Sequence, residues 1–556
     1  MSSPSTSVNV LWKKDESPNS DSYVNIFNVK GHEVSLQMVK LQYAMSKASF
    51  NYTRDEAFAK CLRECGKDFF KDGDFFKAMF TFNCGLTKIT NGSEELGIAY
   101  ANRSMCFLRL DMPEKALVDI ELARKSNYPA NLMHKLTVRE DKCKHLLEDE
   151  EFKAKRFKLR APMLSFKEHE SFAGVADCLE IRKNDDFGYH VVTTRDLEIG
   201  QTVLVEPSFA ITPKRFENIG RDRCWNCYKD MQNFIACSNQ NYIGSLYCDA
   251  NCEEQSFHRY ECGLPNLSRK ETTDLVQKIL HKLTVTFPDI DLLMKTVEAL
   301  VNDEEVTDLS SMEQKRFCSI FKLIHKHELK HNQQAKLLIP SANTFVMVMD
   351  IPDFKEIFKT EEQLRFLQHL ILHLHHVTEH AFDLHEYSPN GSNEPIMAHT
   401  FLHYASAVYP FACYMKHSCV PNVFWYSIDD RLIGKVIRPI KTGEQVFRSY
   451  LPATNTYQSE KDFEIGPIEE RYNFECQCSH CSDEPSENVN YVRDQQWFEA
   501  MAPMEMKLKD FRKLSREEID EYEKKAVELV KKYNDISPCS IQDNLILIWI
   551  LLSQYF

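Results

Sequence analysis

Two segments, KHSCVPN at residues 416–422 and GEQVFRSY at residues 443–450, decide the fold of this chain. Each segment by itself is weak evidence for a functional site. Strings such as the first also occur in ordinary loops, and a tyrosine at the end of a strand is usually part of the hydrophobic core. A third feature follows the second segment by about 26 residues, namely the triplet Cys476-x-Cys478-x2-Cys481. The order and spacing of the three features make them one constellation, from which the rest of the chain is interpreted.

The cysteine triplet predicts a zinc site. The first twenty residues lack the apolar stretch of a secretory signal, so we expect no export and reduced thiols. Clustered cysteines in such a chain indicate metal, and zinc takes four sulfur or nitrogen ligands. The triplet therefore needs a fourth ligand from elsewhere. The alternative, three metal-free surface thiols, fits so tight a cluster poorly.

A larger ligand-rich block lies upstream of the two segments. It contains seven candidate zinc ligands, too many for one ion and one short of two: Cys224, Cys227, Cys237, Cys248, Cys252, His258 and Cys262. Pairs two or three residues apart bind one ion from one turn, so we predict structural zinc here rather than a chance cluster. Apart from these and Cys419 in the first segment, the other nine of the 19 cysteines are interpreted as small core residues.

Composition limits the class of protein. The chain has 556 residues, enough for three or four domains, and a formal net charge of −14. An acidic chain is a poor general binder of nucleic acid or anionic membrane, although a local basic groove is compatible with it. The longest apolar run, residues 545–552, is far shorter than the roughly 20 residues that span a bilayer. We predict a buried helix there.

Pattern changes along the chain predict its domains. A Ser- and Asn-rich start precedes two helical stretches that repeat one another, with small residues such as Ala78 and Ala116 beside aromatics. Beyond them, β-branched strand patterns flank a helical stretch. The predicted boundaries are 1–30 disordered, 31–160 helical repeats, 161–213 strands, 214–265 zinc block, 266–400 helical insert, 401–455 strands, 456–485 second zinc segment and 486–556 helices.

Together the motifs resemble a SET domain with its post-SET zinc. Residues 55–485 are similar to the SET-and-MYND-domain protein-lysine methyltransferases, in the branch with N-terminal tetratricopeptide (TPR) repeats. The resemblance implies an α+β fold in which a MYND zinc finger and a helical insert split a β-rich SET domain. TPR-like helices would precede that domain, and a short helical segment would follow it.

The resemblance also implies how the zinc ligands are grouped. One MYND zinc ion would be held by four cysteines, namely Cys224, Cys227, Cys248 and Cys252. A second MYND ion would be held by Cys237, His258 and Cys262. Gln240 stands where the partner of Cys237 is expected. Cys419 would complete the post-SET site with Cys476, Cys478 and Cys481.

The implied reaction is methyl transfer from S-adenosylmethionine to a lysine amine of a histone or another protein. Tyr450 would sit at the end of the lysine channel and Tyr472 would line it. Phe474 would pack on the cofactor, and His417 and Asn422 would shape the pocket. The implied cofactor-binding positions are Gly188, Tyr189, His190, His380, Lys416, His417, Tyr450 and Phe474.

Three cofactor positions depart from the family pattern, which leaves two function classes open. His190 replaces the second glycine of the family's Gly-x-Gly motif. Lys416 replaces the asparagine that precedes His-Ser-Cys, and His380 replaces the asparagine of the Asn-x-Phe motif. A lysine brings positive charge towards a cationic cofactor, or it contacts the cofactor carboxylate instead. The chain is therefore expected to be an active methyltransferase or a catalytically impaired scaffold that regulates transcription.

The resemblance further implies partners and location. A MYND finger would bind Pro-rich corepressor peptides, as in histone deacetylase complexes. A TPR groove would bind the acidic C-terminal peptide of a chaperone, for which Asn102, Lys135 and Arg139 match clamp positions and Lys67 does not. We expect a monomer in cytoplasm and nucleus that binds neither membrane nor DNA directly.

Zinc content tests the interpretation of the ligand-rich blocks. Because Gln240 leaves one predicted site with three clear ligands, we expect two firmly held ions and partial loss of a third. Atomic absorption before and after dialysis against a weak chelator measures this loss, and the undialysed protein is the control. Retention of three ions per chain after dialysis would contradict the prediction.

Overall fold

The structure is a computed structural model whose described residues form two units. It describes residues 28–29, 32–33, 36–49, 54–155, 162–185, 187–213, 223–230, 232–239, 245–255, 271–323, 331–388, 400–450, 474–478, 481, 516–534, 545–546, 548–549 and 552–553. The first unit draws on Met1–Val39, Leu159–Thr212 and Lys270–Phe556, and the second on Lys40–Lys158 and Pro213–Arg269. Both units are therefore discontinuous in sequence.

The second unit is built mainly from antiparallel helix pairs. Its helices are α2 (Glu56–Lys71), α3 (Phe75–Leu86), α4 (Glu94–Arg109), α5 (Pro113–Lys125), α6 (Met133–Glu148) and α7 (Glu150–Lys155). Asp55 and Asp74 begin α2 and α3 by accepting backbone N–H groups, and Pro113 opens α5, where its missing donor costs nothing. α1 (Leu36–Ser49) precedes them and spans the boundary between the units.

Small residues let these helices approach closely. Ala78 and Ala116 are fully buried beside Phe82 and Phe107. A Cβ added at Gly97 would lie 2.6 Å from the Ser126 carbonyl oxygen, so only glycine fits at that crossing. This is the small-and-aromatic pairing that the sequence repeats predict.

The first cysteine block lies in the same unit. It contains β9 (Ile235–Ala236) paired with β10 (Leu246–Tyr247), and α8 (Ala250–Gln255). Phe234 and Leu246 share one apolar core with Ile120 and Leu136 of the helices. The block is therefore part of the helical unit's core and not a separate module.

A fully buried ion pair holds the cysteine block to the helices. Arg103 on α4 donates two hydrogen bonds to the Asp119 carboxylate on α5, at 2.7 and 2.8 Å. Its remaining donor Nη1 bonds to Asn83 Oδ1 and to the Phe234 carbonyl, and Asn233 donates to Asp119. Removal of one partner from such a pair leaves an uncompensated buried charge, at a cost of about 3–5 kcal/mol.

The first unit carries the main sheets. Its five-stranded sheet has the order β14 (Val423–Ile428), β15 (Arg431–Val436), β7 (Thr202–Pro207), β4 (Phe172–Ala176) and β3 (Glu168–His169). A three-stranded sheet has the order β11 (Phe382–Ser388), β12 (Thr400–Val408) and β8 (Ala210–Pro213). Strand β5 (Leu179–Asn184) pairs with β6 (Gly188–Thr193). Strand β13 (Lys416–His417) pairs with β16 (Phe447–Arg448). β1 (Asn28–Val29) pairs with β2 (His32–Glu33).

Helices complete the first unit between β8 and β11 and after β16. They are α9 (Glu271–Thr286), α10 (Ile290–Val301), α11 (Met312–Lys322), α12 (His331–Val348), α13 (Pro352–Ile357), α14 (Glu361–Thr378) and α15 (Arg516–Lys532). Capping boxes begin α11 and α14. Among all the helices that the structure describes, none has the length and apolarity to cross a bilayer. The predicted mixture of helices and strands is confirmed, whereas the domain boundaries stay predictions.

Gly174 lies very close to the backbone of the neighbouring strand β7 in the five-stranded sheet. Its φ is +71°, and a Cβ there would lie 2.2 Å from the Val205 carbonyl oxygen. Gly443 has a similar φ of +88° but open space around the Cβ position. A side chain at Gly443 would therefore meet backbone strain alone, whereas a side chain at Gly174 would meet both backbone strain and a steric collision.

Alanine at these glycines is expected to destabilise the fold unequally. Gly443→Ala has only the cost of a positive φ, about 1 kcal/mol, while Gly174→Ala adds a backbone collision and is expected to cost at least about 3 kcal/mol. Urea denaturation followed by fluorescence measures both, with Gly443→Ala as the matched control. Equal losses would contradict the collision.

Glu206 on β7 is buried and anchors the segment that leads to β13. Its carboxylate oxygens accept the backbone N–H groups of Phe411 and Ala412, at 2.7 and 2.9 Å. Burial raises the pKa of Glu206 to about 7, against the lowering influence of these two hydrogen bonds and of Arg316. The folded protein therefore binds this proton more tightly than the unfolded chain does.

This raised pKa makes stability depend on pH. The stabilising contribution is complete below the ordinary glutamate pKa and is lost as pH rises through about 7. Between about pH 5.5 and pH 7, we expect Glu206 to remove about 2 kcal/mol of stability. Thermal melts at both pH values measure this against Glu206→Gln, which cannot ionise and should lack this loss. An identical pH dependence in both proteins would contradict the assignment.

Candidate functional site

The two segments that decide the fold meet in a short parallel ladder. Lys416 pairs with Phe447 and His417 with Arg448, which joins β13 to β16. Asn422 ties the same segments together again, because its amide donates to the Gln445 carbonyl and its oxygen accepts the Phe447 N–H. The structure thus brings residues 416–422 against residues 443–450.

His417 stands between the candidate catalytic tyrosine and a thiol. The backbone N–H of Tyr450 donates to His417 Nδ1 at 3.0 Å. The proton of the neutral His417 ring therefore lies on Nε2, and this atom is 3.3 Å from Cys419 Sγ. Burial lowers the pKa of His417 to about 4, so the ring is neutral near neutral pH. A neutral ring with one fixed tautomer holds Tyr450 on one side and Cys419 on the other.

Tyr450 lies in an aromatic cluster. Its hydroxyl donates to the Met415 carbonyl at 3.3 Å. Its ring centre is 5.3 Å from that of His417 and 6.1 Å from that of Phe474, which meets it edge-on. The structure therefore brings these three predicted site residues together, while the predicted channel residue Tyr472 lies outside the described residues.

Arg448 belongs to this cluster, although sequence reasoning gave it no role. Arg448 is buried, and its guanidinium carbon lies 3.8 Å from the ring centre of Phe382 and 4.1 Å from that of Tyr450. Stacking of a guanidinium on two ring faces offsets part of the cost of burying its charge. The available signal was a charged residue in the short strand β16, two residues before the candidate tyrosine.

Lys416 is half-buried at the edge of the same cluster. Burial lowers its pKa first, and the positive charge of Arg448 lowers it further. No carboxylate of the described residues forms an ion pair with Lys416. The departure from the family asparagine is thus a second cation near Tyr450.

The remaining predicted cofactor positions occupy β6 and the turn that follows α14. Gly188 has a φ of +60° with open space at its Cβ position, and the Tyr189 ring packs edge-on against Tyr414. The His190 Nδ1 lies 3.0 Å from the Gly188 carbonyl oxygen. The His380 ring lies 6.0 Å from that of His376 between centres, and Phe382 packs beside Arg448.

The aromatic cluster suits the proposed nucleoside cofactor. The rings of His417, Tyr450 and Phe474 offer an apolar wall of the kind that packs on a purine, and the Met415 carbonyl offers an acceptor. The Lys416 ammonium attracts the carboxylate of that cofactor but repels its sulfonium. The residues therefore fit S-adenosylmethionine, with Arg448 and Lys416 as unusual cations.

Two sets of four thiols have the geometry of zinc sites. In each set the sulfur atoms all lie within 4.8 Å of one another: Cys224, Cys227, Cys248 and Cys252, and Cys419, Cys476, Cys478 and Cys481. Sulfurs around tetrahedral zinc at about 2.3 Å are about 3.8 Å apart. The separations of Cys227–Cys248 (3.5 Å), Cys419–Cys481 (3.6 Å) and Cys419–Cys476 (3.9 Å) agree with that spacing. Both sets fit zinc.

The other predicted ligands are only partly described. Cys237 is buried, and the Arg54 guanidinium donates to its carbonyl oxygen at 2.6 Å. His258 and Cys262 lie outside the described residues, as does Gln240. The second ion of the first block therefore stays a prediction.

Known proteins match this chain over the same regions. The SET domain family matches residues 188–451, which include β6 and the β13–β16 ladder. A SET and MYND domain-containing protein of Dictyostelium discoideum is 23% identical over 339 residues, covering 55% of this chain and 81% of that protein. The protein-lysine N-methyltransferase SMYD4 of Danio rerio is 22% identical over 238 residues, covering 38% of this chain and 30% of that protein.

A longer alignment links the chain to a human protein. The human protein-lysine N-methyltransferase SMYD4 is 19% identical over 576 residues, covering 82% of this chain and 70% of that protein. The chain thus spans less than a third of the zebrafish relative and over two thirds of the human one. Membership of the TPR-bearing branch stays a prediction. The chain contains a SET domain, and these similarities support its membership of the SET and MYND domain-containing family.

Proposed function

We propose that this chain is an S-adenosylmethionine-dependent protein-lysine N-methyltransferase whose acceptor is a histone or another protein. The observation that carries the proposal is the cluster of Tyr450, His417 and Phe474, bonded through His417 to a four-thiol site. The names of the relatives support the reaction class at low identity.

The residues of the cluster have separate tasks in this reaction. Bound S-adenosylmethionine supplies a methyl group on a positively charged sulfur. The rings of His417 and Phe474 would hold its nucleoside, and Gly188 would admit it close to the backbone of β6. Tyr450, fixed by the Met415 carbonyl, would position the acceptor amine. The amine must be neutral to attack, although a free lysine has a pKa near 10.4; a partly buried site favours the neutral form.

The scaffold alternative rests on Lys416. Two like charges about 4 Å apart cost about 4 kcal/mol at an effective dielectric constant of 20. Lys416 is half-buried, so its charge is only partly screened by water. In this alternative the SET fold is retained for protein interactions without transfer.

Calorimetric titration with S-adenosylmethionine separates the two functions. We expect zinc-loaded native protein to bind it with micromolar affinity and Lys416→Asn to bind it more tightly, because a repelling charge is removed. The assay is isothermal titration of both proteins, with Phe474→Ala as a control expected to weaken binding by removing the ring wall. Binding by Lys416→Asn but not by the native chain would instead establish the scaffold.

The finer architecture is also a proposal. The thiol sets and their surroundings support a MYND finger at residues 214–265 and a post-SET site, each holding zinc. Helices α2 to α6 support TPR-like repeats through their buried small residues. These assignments would make the second unit the interaction part of the protein.

Partners and location follow from those assignments. The MYND finger would bind Pro-rich corepressor peptides, and the helices would bind an acidic chaperone peptide, in cytoplasm and nucleus. Arg139 of the predicted clamp donates to Ala101 and Ser104 on α4, so it is committed to the fold. The clamp would therefore rest on Asn102 and Lys135.

A further inference from the structure

Glu206 on β7 is a buried carboxylate to which the proposed reaction assigns no task. Its two oxygens accept the N–H groups of two consecutive residues, Phe411 at 2.7 Å and Ala412 at 2.9 Å. A short 3₁₀ helix, Ala412–Tyr414, begins at this point. Because two bonds to neighbouring N–H groups fix a direction as well as a position, Glu206 orients the start of the segment that leads into β13.

The two residues held by this carboxylate hold in turn the next two residues of the segment. The Phe411 carbonyl accepts the Tyr414 N–H at 3.0 Å, and the Ala412 carbonyl accepts the Met415 N–H at 3.1 Å. A displacement of residues 411 and 412 would therefore carry Tyr414 and Met415 with it.

Tyr414 and Met415 reach two parts of the candidate site. The Tyr414 ring packs edge-on against the predicted cofactor residue Tyr189 on β6, with ring centres 5.9 Å apart. The Met415 carbonyl accepts the Tyr450 hydroxyl at 3.3 Å. Residues 411–415 thus connect the buried carboxylate on β7 to a predicted cofactor contact and to the candidate catalytic tyrosine.

A second set of bonds holds the same segment without a charged group. The Tyr414 hydroxyl donates to the Ser319 carbonyl on α11, and the Ser319 hydroxyl donates to the Pro410 carbonyl at 2.8 Å. These bonds remain when Glu206 is neutral. Loss of the carboxylate is therefore expected to shift the segment rather than to unfold it.

The protonation state of Glu206 decides how well it holds the two N–H groups. An ionised carboxylate accepts on both oxygens, whereas a protonated one turns one oxygen into a donor. Burial raises the pKa of Glu206 to about 7, against the two N–H groups and Arg316. Tyr409 and Cys413 also interact with Glu206, and both are uncharged because burial raises their pKa values. Both N–H groups are thus fully held only above about pH 7.

We propose that Glu206 is a positioning residue for the methyl-transfer site, which it orders by holding residues 411–415 towards Tyr189 and Tyr450. The inference rests on the proposed function and deepens it, because Glu206 acts on the site through the backbone.

The two consequences of ionisation run in opposite directions. Ionisation of Glu206 lowers the stability of the fold, because its pKa in the folded protein is raised. The same ionisation completes the hold on Phe411 and Ala412, and so should strengthen ligand binding. A merely structural role would make affinity fall together with stability as pH rises.

The test is isothermal titration of the full, zinc-loaded chain with S-adenosylhomocysteine, at about pH 6 and about pH 8.5. Glu206→Gln keeps the size of the side chain but offers one acceptor oxygen at every pH. We expect the ratio Kd(Glu206→Gln)/Kd(native) to be about ten at the higher pH and to approach one at the lower pH. Thermal melts in the same buffers should show the native protein losing stability relative to Glu206→Gln as pH rises.

Glu313→Gln is the matched control in the same region. The Glu313 carboxylate pairs with Lys282 at 2.6 Å and with Arg316 at 2.7 Å, and Arg316 is the cation that also acts on Glu206. Its neutralisation changes the local charge without removing the acceptors of Phe411 and Ala412. We expect its Kd to stay within about twofold of the native value at the higher pH.

The outcomes separate this inference from the proposed function. A ratio that does not change with pH, or an affinity that follows stability, overturns the inference while the methyltransferase proposal stands. An equal loss of affinity in Glu313→Gln also overturns it. Failure of the native chain to bind S-adenosylhomocysteine at either pH overturns both. All other titrating groups are shared by the native chain and Glu206→Gln, so their effects cancel in the ratio.

Discussion

The parallel pairing of β13 with β16 is the interaction on which the candidate site depends. Only two residue pairs form it, yet they join segments about thirty residues apart in sequence. Through this ladder Lys416, His417 and Arg448 come beside Tyr450. Asn422 reinforces it with two hydrogen bonds. Because two pairs alone would be a weak sheet, the side-chain bonds of Asn422 and the ring stack around Arg448 are needed to hold the arrangement together.

Much of the site was accessible from the sequence because its residues occur in strings with fixed spacing. The cysteines at 476–481 indicate a missing fourth ligand, and the structure brings Cys419 to them. Arg448 was not accessible in the same way, since a charged residue in a strand is usually exposed and its burial depends on Phe382, which is distant in sequence. The string His380-Ala381-Phe382 pointed to this part of the chain, and its member Phe382 packs against Arg448 in the aromatic cluster.

The fold shows a similar division. The repeated small and aromatic residues predict the crossing helices, since local periodicity and volume determine such packing. The joint core of the helices and the first cysteine block could not be predicted, because it depends on one arginine, Arg103, and its partner Asp119. A buried ion pair has no periodic pattern by which a sequence could reveal it.

The discontinuity of the second unit has a consequence for biosynthesis. Its helices emerge from the ribosome first, then the strands of residues 162–213 follow, and only afterwards does the cysteine block appear. Until that block arrives, Arg103 and Asp119 lack the Phe234 carbonyl and Asn233, and the core that contains Ile120 lacks Phe234 and Leu246. The nascent helices must therefore wait, partly uncovered, while strands β3 to β8 of the other unit are synthesised.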